Sequence, residues 1–581
     1  MIKIGSVEFK EVWIADFEFM VSPGDRSVPV CLVAKELSSG QTIRLWQDEL
    51  KRLKVPPFSI DNRTLFVAYF ASAEFSCFLA LGWQLPSNVL DPFVEFRNST
   101  NGYQLPAGKG LLGALTYYGL NGIDAMEKKD MRDMVLRGGP WSRNERKEIL
   151  KYCESDVIAL EMLLDKMEPT LDMPFALLRG RYMKSVAKIE FNGVPVNLTE
   201  FQTLQNYWTD IQDQLISEID ADYGVFDGRV FKVDRFKKWL IDNNIPWPTH
   251  PSGNLNLQDN TFKGMAKVYP VLGPLRELRA SLSKMRLSEL AIGPDGRNRC
   301  LLSPFRSKTG RNQPSTTKFI FGPAIWLRGL IKPEPGYGLA YIDYEQQEFG
   351  IAGALSKDPL MLKAYNSGDP YLGFAKQVGA VPKEATKESH QDVREQFKTC
   401  ALGVQYGMGA ESLAILIKKS KLVARDLIRL HKQTYKIFWE WSDNAVSYAM
   451  LHGKLFTTFG WNIHMNETAN LRSLINFPMQ ANGAEMLRIA CCLATEQDIG
   501  VCAPIHDAIL IEAPLDKLNE TIDKTQQIMA EASEIVLDGF MLRTEAKVIR
   551  YPDRYEDERG RRMREKVCNI IHNLKKFPAD G

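Results

Sequence analysis

Two carboxylates two residues apart are the first group in this sequence that could do chemistry. Asp16 and Glu18 lie in the segment IADFEF, whose alternation predicts a β-strand. Successive side chains of a strand point to opposite faces, so both carboxylates share one face and Phe17 lies on the other. Neighbouring carboxylates repel each other unless a cation neutralises them. The pair is either part of a metal site or a solvent-exposed strand edge, since charged residues are mostly exposed.

A third acidic position lies on a predicted helix. Residues 144–165 have apolar residues at helical spacing, and they place Tyr152 and Asp156 four residues apart on one helix face. Taken alone, this pair is more typical of a solvated helix surface than of a catalytic site.

Together these positions resemble the DEDD family of 3′–5′ exonucleases, in the subgroup with a tyrosine in the last motif. The family order is a strand with Asp-x-Glu, an intermediate acid after a strand, and Tyr-x-x-x-Asp. Here the intermediate acid is Glu74, in AYFASAEF, where the family has Asp, and the longer side chain has a different reach. The resemblance implies that Tyr152 orients the attacking water. It also implies two Mg²⁺ ions about 4 Å apart, replaceable by Mn²⁺, held by Asp16, Glu18, Glu74 and Asp156.

Two further aspartates end apolar segments that are far apart in the chain. Asp343 ends LAYID, which predicts a buried strand, and Asp507 follows His506 between the apolar runs of APIHDAILIEA, which predict a tight hairpin. If the strands are neighbours, the two aspartates could hold Mg²⁺, which prefers carboxylate and phosphate oxygens. Each aspartate alone is more typical of a turn.

A stripe of four side chains follows residues 391–410. Arg394, Lys398, Leu402 and Tyr406 recur every fourth residue, so each is rotated about 40° past a full helical turn from the one before. Two cations, an apolar side chain and an aromatic ring on one face could bind a triphosphate and cover a base. A bland amphipathic helix is the alternative.

These elements occur in the order of the motifs of family A DNA polymerases, the group that contains bacterial DNA polymerase I and many phage replicases. FNGVPVN, SKTGRNQPS, GKLFTTFG and RSLINFPMQANGAE also resemble family motifs, and the resemblance covers about residues 5–550. It implies a right-hand polymerase with palm, fingers and thumb. Such an enzyme adds dNTPs to the primer 3′-OH of a primer–template DNA with two Mg²⁺ ions.

The resemblance implies a role for each matching residue. Asp343 and Asp507 would be the catalytic metal ligands, and Lys398 would also act as general acid toward the pyrophosphate. Glu348 would be the gate against a ribose 2′-OH. The residues that would bind the dNTP are Arg394, Lys398, Glu348, Tyr406 and Gln347. The residues that would contact DNA are Arg311, Arg472, Asn476, Gln480 and His506.

The sequence departs from the family at several of these motifs. Ala508 follows His-Asp where Glu is usual, and Leu402 stands where Phe or Tyr is usual. Glu345 and Gln347 replace Ser and Ile, and Tyr371 stands where His is common. The compact exonuclease-plus-polymerase layout also resembles the polymerases of phages with 2-aminoadenine genomes. That resemblance implies acceptance of 2-aminoadenine, or a preference for it over adenine.

The predicted elements that position these residues form a multidomain α/β and α+β protein. Strands and helices alternate over 1–165, with strands at 13–21 and 64–70, and helices dominate 175–290 and 351–452. A ribonuclease H-like exonuclease domain would precede the polymerase. The predicted domains are 1–170 (exonuclease), 178–300 (start of the polymerase region and thumb), 301–350 (first part of the palm), 351–440 (fingers) and 441–581 (second part of the palm and C-terminal tail).

The composition restricts the class of protein. Lys plus Arg total 73 and Asp plus Glu 71, and 45% of residues are hydrophobic, which excludes a disordered chain, a collagen and a coiled-coil rod. Without an overall basic excess, any DNA-binding surface is local. The nine scattered cysteines lack CxxC pairs, which disfavours a zinc site. No run of 18 apolar residues occurs, so we expect no membrane span. We expect a cytoplasmic monomer, in the host cytoplasm if viral, with replication accessory proteins as further partners.

Three other functions fit parts of the sequence. A single-subunit RNA polymerase would share the two aspartates and the Arg/Lys helix, but the exonuclease motifs and Glu348 argue against it. A nuclease with a silent polymerase half would explain Ala508. A non-enzymatic single-strand binder would use basic and aromatic surface without paired carboxylates.

Overall fold

The N-terminal part is a sheet flanked by helices. A computed structural model describes residues 1–120, 125–284, 287–465 and 470–576. The strands are β1 (Ile2–Ile4), β2 (Val7–Phe9), β3 (Glu11–Met20), β4 (Val28–Glu36), β5 (Thr42–Trp46), β6 (Thr64–Val67) and β7 (Asn88–Leu90). The helices are α1 (Gln47–Leu50), α2 (Ala71–Ala80), α3 (Pro92–Ser99), α4 (Leu111–Tyr117), α5 (Ala125–Arg137) and α6 (Arg143–Met167). β1 and β2 form a separate hairpin, and the other strands form one sheet in the order β5-β4-β3-β6-β7.

The central strand β3 carries the alternation that the sequence predicts. Val12 and Ile14 pack in a core with α6, whereas Trp13 and Phe17 pack in a second core with α2. β3 pairs antiparallel with β4 and parallel with β6. Because β3 has a partner on each side, the alternative of an exposed edge strand is wrong. Asp16 lies on the face that α6 covers.

Helices dominate the middle of the chain, as predicted. They are α7 (Met173–Asn192), α8 (Leu198–Asn206), α9 (Trp208–Asp220), α10 (Val233–Asp242), α11 (Asp259–Val268) and α12 (Gly273–Lys284). Short strand pairs lie between them: β8 (Val194–Pro195) with β11 (Arg297–Asn298), and β9 (Phe226–Asp227) with β10 (Val230–Phe231). The short 3₁₀ helices in this half of the chain are Glu168–Thr170, Pro270–Leu272, Leu287–Glu289 and Ile325–Leu330.

A four-stranded antiparallel sheet organises the C-terminal half. Its strands are β12 (Tyr337–Tyr344), β15 (Gly500–Ile505), β16 (Ala508–Pro514) and β17 (Thr544–Arg550), in the order β15-β16-β12-β17. β13 (Lys454–Phe456) and β14 (Asn462–His464) form a separate hairpin. Ile342 of β12 faces one apolar core and Leu339 faces another, so the sheet is covered on both sides.

Ten helices pack around this sheet or extend from it within the described residues. They are α13 (Gln347–Ser356), α14 (Pro359–Asn366), α15 (Pro370–Gln377), α16 (Gln391–Gln405), α17 (Ala410–Ile417), α18 (Lys421–Thr434), α19 (Lys436–His452), α20 (Leu471–Glu496), α21 (Leu518–Val536) and α22 (Glu558–Lys576). α22 lies in the C-terminal tail. No helix in the described ranges is long and apolar enough to cross a membrane.

α7 joins the two halves of the molecule. It packs against α2 and β7 of the N-terminal sheet and also against α20 and β15 of the C-terminal half. The helix begins at Met173 and ends at Asn192, so it runs through residue 178, where the sequence predicts the polymerase region to begin.

Candidate active sites

Three of the predicted exonuclease residues converge between β3 and α6. Asp16, Glu18 and Asp156 each offer a carboxylate oxygen, and these oxygens lie within 4.8 Å of one another. The alternation of β3 turns Asp16 toward α6, and α6 begins at a capping box in which Ser142 and Glu145 bind each other's backbone N–H. The structure therefore brings together carboxylates that are 140 residues apart in sequence, as the pattern predicted.

The electrostatics of this cluster favour a bound cation. Burial, and then the charge of Asp156, raises the pKa of Asp16 to about 8. Burial and the charge of Asp16 raise the pKa of Glu18 well above its ordinary value. Asp16 Oδ2 is buried and has no hydrogen-bond partner among the described residues. A divalent ion would satisfy this oxygen and offset the repulsion, so the residues fit a metal site.

Glu74 lies beside this cluster but is engaged elsewhere. The predicted strand 64–70 is shorter than expected: it ends at Val67, Phe70 has a φ of 69°, and α2 begins at Ala71. Glu74 therefore lies in the first turn of a helix, and its Oε2 accepts the Phe17 N–H at 2.7 Å. Burial, and then the charge of Asp16, raises its pKa. Its role as a metal ligand stays a prediction.

Tyr152 lies one helical turn before Asp156 and faces the same cluster. Burial, followed by the charges of Asp156 and Glu18, raises its pKa. A lysine that no motif of the sequence indicates also lies here. Lys128 Nζ on α5 lies 5.7 Å from the centroid of the Tyr152 ring. Lys128 stands between charged neighbours in EKKDMR, and nothing in that pattern distinguishes it from a solvated lysine.

The second pair of aspartates meets at one edge of the four-stranded sheet. Asp343 is next to the last residue of β12, and its backbone partner on β16 is Ala508. His506 and Asp507 form the predicted tight turn between β15 and β16, with His506 at a φ of 57°. The hairpin therefore places Asp507 next to Asp343.

The two carboxyl groups affect each other strongly. Burial, and then the charge of Asp507, raises the pKa of Asp343 to about 7. Burial also raises the pKa of Asp507, and the charge of Arg311 opposes that rise. Asp343 Oδ1 is buried and makes no hydrogen bond with a described residue. This pair also fits a divalent metal, which would neutralise both carboxylates.

The stripe of cations lies on α16, which is shorter than predicted. The helix ends at Gln405, and Tyr406 follows as its C-cap with Gly407 at a φ of 73°. Arg394 forms an ion pair with Asp369, and its guanidinium carbon lies 5.6 Å from the centroid of the Tyr371 ring. Lys398 Nζ lies 6.0 Å from the same ring. Tyr371 thus joins the two cations in one patch.

Several of the residues predicted to bind the nucleotide or DNA lie around Tyr406. Burial, and then the charge of Glu348, raises the pKa of the Tyr406 hydroxyl, while the Gln480 amide acts in the opposite direction. Leu402, Tyr406 and Arg472 line a cavity of about 460 Å³. Residues from α13, α16 and α20 therefore meet beside the end of the cationic stripe.

Two further predicted DNA contacts, Arg311 and His506, line a second cavity. This cavity has a volume of about 330 Å³ and lies between the SKTGRNQPS loop, α20 and the β15–β16 turn. Asn476 Oδ1 and Gln347 Nε2 are buried and have no hydrogen-bond partner among the described residues. Such atoms are costly unless a further group satisfies them.

Comparisons with known proteins agree with this arrangement. Residues 320–548 match the model of the family described as DNA polymerase family A. The chain is 26% identical over 440 residues to DNA polymerase I of Aquifex aeolicus (strain VF5), and the match covers 69% of this chain and 75% of that protein. It is 28% identical over 246 residues to DNA polymerase I of Deinococcus radiodurans, with 40% of this chain and 24% of that protein covered.

A phage relative and a solved structure extend the comparison. The DNA polymerase of Mycobacterium phage D29 is 26% identical over 252 residues, covering 42% of this chain and 41% of that protein. The solved POL domain of Pol1 from M. smegmatis, in complex with DNA primer-template and dNTP, has a TM-score of 0.69 at 17% identity. The match covers 92% of this chain and 95% of that one, and it confirms the predicted fold class.

Proposed function

We propose that this chain, whose residues 320–548 match the model of DNA polymerase family A, is a template-directed DNA polymerase that proofreads with its own 3′–5′ exonuclease site. The observation that carries the proposal is the convergence of Asp343 and Asp507 at one end of the four-stranded sheet. The separate cluster of Asp16, Glu18 and Asp156 supports the second activity. The phage relative supports a role in replicating phage DNA.

Each residue of the polymerase site would have a distinct task in nucleotide addition. Mg²⁺ held by Asp343 and Asp507 would align the primer 3′-OH with the α-phosphate and offset the charge that develops there. Arg394 and Lys398 would bind the triphosphate from α16, and Lys398 would protonate the leaving pyrophosphate. Arg394 is paired with Asp369 in this structure, so the triphosphate would compete with that carboxylate.

The groups around Tyr406 would control which nucleotide is accepted. Glu348 would fill the space of a ribose 2′-OH, and Tyr406 would stack near the templating base. Arg311, Arg472, Asn476, Gln480 and His506 would contact primer and template, partly through minor-groove acceptors that every correct pair displays. Closing of α16 over a correct nucleotide would couple fit to chemistry.

Trimming would take place at the N-terminal site. Family resemblance implies two divalent ions there, Mg²⁺ or Mn²⁺, with Tyr152 orienting the attacking water. Asp16, Glu18 and Asp156 are the carboxylates that could hold such ions, with Glu74 beside them. We expect the chain to work as a monomer in the cytoplasm of a cell, the host cell if the source is a phage, with replication accessory proteins beside DNA and dNTPs.

A preference for 2-aminoadenine is the second candidate property. Its support is the compact layout and Gln347, whose amide replaces the usual Ile one residue before Glu348. A 2-amino group is a hydrogen-bond donor in the minor groove, and the amide oxygen of a glutamine can accept from it. Competition between dATP and 2-aminoadenine triphosphate opposite template T measures the preference, and equal incorporation efficiency would contradict it.

Two substitutions test the main proposal. We expect Asp343→Ala to lower primer extension with Mg²⁺ by roughly 1000-fold, since a metal ligand supplies several kcal/mol of transition-state stabilisation. Excision of a mismatched 3′ end should persist. Asp16→Ala should do the reverse. If either variant loses both activities while its melting temperature is unchanged, the two sites are not independent.

The same assays separate the alternatives. Extension by the wild-type chain with dNTPs but not NTPs excludes an RNA polymerase. Extension of any kind excludes a nuclease with a silent polymerase half, despite Ala508. Metal-dependent turnover excludes a non-enzymatic single-strand binder.

A further inference from the structure

Lys128 contacts one of the carboxylates of the N-terminal metal cluster. Its Nζ donates to Asp156 Oδ1 at 2.8 Å and to Oδ2 at 2.7 Å, which is a two-pronged contact. The Lys128 side chain is 26% exposed and that of Asp156 is 9% exposed, so the pair is mostly shielded from solvent. A contact this sheltered is screened less by salt than a surface ion pair.

The carboxylates of this site could hold a metal ion, and one of them also contacts a lysine ammonium. Asp16, Glu18 and Asp156 are close enough to share one metal ion. The Glu74 carboxylate lies outside this group, and its Oε2 accepts the Phe17 N–H. Within the cluster, Asp156 also accepts from the Lys128 ammonium. The described geometry therefore offers one metal position and one fixed ammonium.

We infer that Lys128 is a catalytic residue of the proposed exonuclease, and that its ammonium takes the place of one of the two divalent ions. The inference rests on the proposed exonuclease function and deepens it. An ammonium has three N–H donors, and Asp156 receives two of them. The third would donate to an oxygen of the scissile phosphate, where a preorganised cation stabilises developing charge.

The step balances without a change in Lys128. Water adds across the bond between phosphorus and the 3′ oxygen, which releases a nucleoside 5′-monophosphate and leaves a new 3′-OH. One proton of the water passes to the leaving 3′ oxygen, through solvent or a neighbouring group. Lys128 stays an ammonium throughout, and its charge offsets the negative charge of the phosphate oxygens.

The experiment compares three variants of the full-length chain. Lys128→Met removes the charge and keeps the length, Lys128→Arg keeps the charge, and Lys129→Met removes the charge of an exposed neighbour on the same helix. Single-turnover excision with Mg²⁺ and primer extension are measured for each. Bound Mn²⁺ is counted by electron paramagnetic resonance in an Asp343→Asn/Asp507→Asn background, which removes the other metal site.

We expect the wild-type cluster to bind about one Mn²⁺. Lys128→Met should lower the excision rate roughly 100-fold or more, a size typical of losing one preorganised electrostatic group. It should leave extension and the fold unchanged and should not reduce Mn²⁺ binding. Lys128→Arg should keep most of the excision rate, and Lys129→Met should behave as the wild type.

Three results would overturn the inference. If the excision rate of Lys128→Met is within threefold of the wild-type rate, Lys128 is only a structural contact between α5 and α6. If Lys128→Met excises faster and binds Mn²⁺ more tightly, Lys128 hinders metal binding. If the wild-type cluster binds two Mn²⁺ ions, the Lys128 ammonium does not replace one of them. If the wild-type chain does not excise, the exonuclease proposal itself is wrong. If the wild type excises and Lys128→Met excises equally well, only the inference about Lys128 is wrong.

Discussion

Burial shifts the pKa values of single residues here. It raises the pKa of Asp343 and lowers the pKa of His431. His431 on α18 is fully buried among aromatic rings, including Phe374 and Tyr435. The Trp439 Nε1–H donates to His431 Nδ1 at 3.1 Å, a bond that requires the unprotonated nitrogen. Burial, and then the charge of Lys432, lowers the pKa of His431 to about 3.

We predict that this histidine makes the helices around it sensitive to acid. Its folded-state pKa lies below the unfolded value of about 6.5, so the folded state binds fewer protons between pH 3 and 6.5. Its contribution to stability is present above pH 6.5 and is lost as the pH falls toward 3. His431→Asn cannot titrate, and its oxygen can still accept from Trp439. The melting temperature of the wild type should therefore fall more between pH 7 and 5 than that of the variant, and parallel falls would contradict the prediction.

Residue types and spacing predict some of these environments and not others. Asp343 was predicted because it ends an apolar strand, and Asp507 because it lies in a tight turn between two apolar runs; strand ends and turns of one sheet meet at its edge. The contact between Lys128 and Asp156 was not predicted, since it depends on where α5 packs. The engagement of Glu74 by the Phe17 N–H likewise depends on a backbone group brought close only by folding.

At the scale of elements, strand register decides which side chains flank Asp343. Its backbone partner on β16 is Ala508, and its partner on β17 is Glu545. Directly opposed residues of antiparallel strands place their side chains on the same face. The charge of Glu545 is among the causes that raise the pKa of Asp343. On β16, Ala508 stands where the family has a glutamate. On β17, Glu545 places a carboxylate beside Asp343.

We predict that Glu545 contributes to metal binding at the polymerase site. Glu545→Gln should raise the Mg²⁺ concentration for half-maximal extension roughly fivefold, because one unit charge about 4 Å away in water is worth about 1 kcal/mol. The control is Glu531→Gln, on exposed surface of α21. Titration of Mg²⁺ in a primer-extension assay gives both values. The prediction fails if the two variants have the same Mg²⁺ dependence.

Element types were predicted more accurately than element ends. The strand from residue 64 ends at Val67 because Phe70 adopts a left-handed conformation that starts α2. The helix from residue 391 ends at Gln405 because Gly407 has a positive φ, which an apolar periodicity does not reveal. The β1–β2 hairpin was not predicted, since its strands have three residues each and carry little periodic signal.

At the scale of the whole molecule, polar contacts join the N-terminal sheet to the loops of the polymerase half. Asn98 on α3 donates to the Gly460 carbonyl and accepts the Asn462 N–H. Asn101 donates to the carbonyls of Lys308 and Asn462. These contacts reach the SKTGRNQPS and GKLFTTFG segments, which the sequence assigned to the polymerase without indicating that α3 would touch them.

A buried ion pair lies at the centre of this junction and carries the last prediction. Arg179 on α7 donates from Nε and Nη2 to the two oxygens of Glu95 at 2.7 Å each, and from Nη1 to the Phe459 carbonyl at 3.1 Å. The two charged side chains are 6% and 5% exposed. Two residues further along the same helix, Arg181 pairs with Glu496, but those side chains are 35% and 41% exposed.

Removing one member of the buried pair leaves an uncompensated charge, so we expect Arg179→Met to destabilise the chain by about 3–5 kcal/mol. Arg181→Met breaks an exposed pair and should cost less than about 1 kcal/mol. Calorimetry compares the two melting temperatures, and limited proteolysis with mass spectrometry maps where each variant opens. Cleavage between the two halves of the chain should increase in Arg179→Met alone. Equal destabilisation by both substitutions would show that the junction does not depend on the Arg179–Glu95 pair.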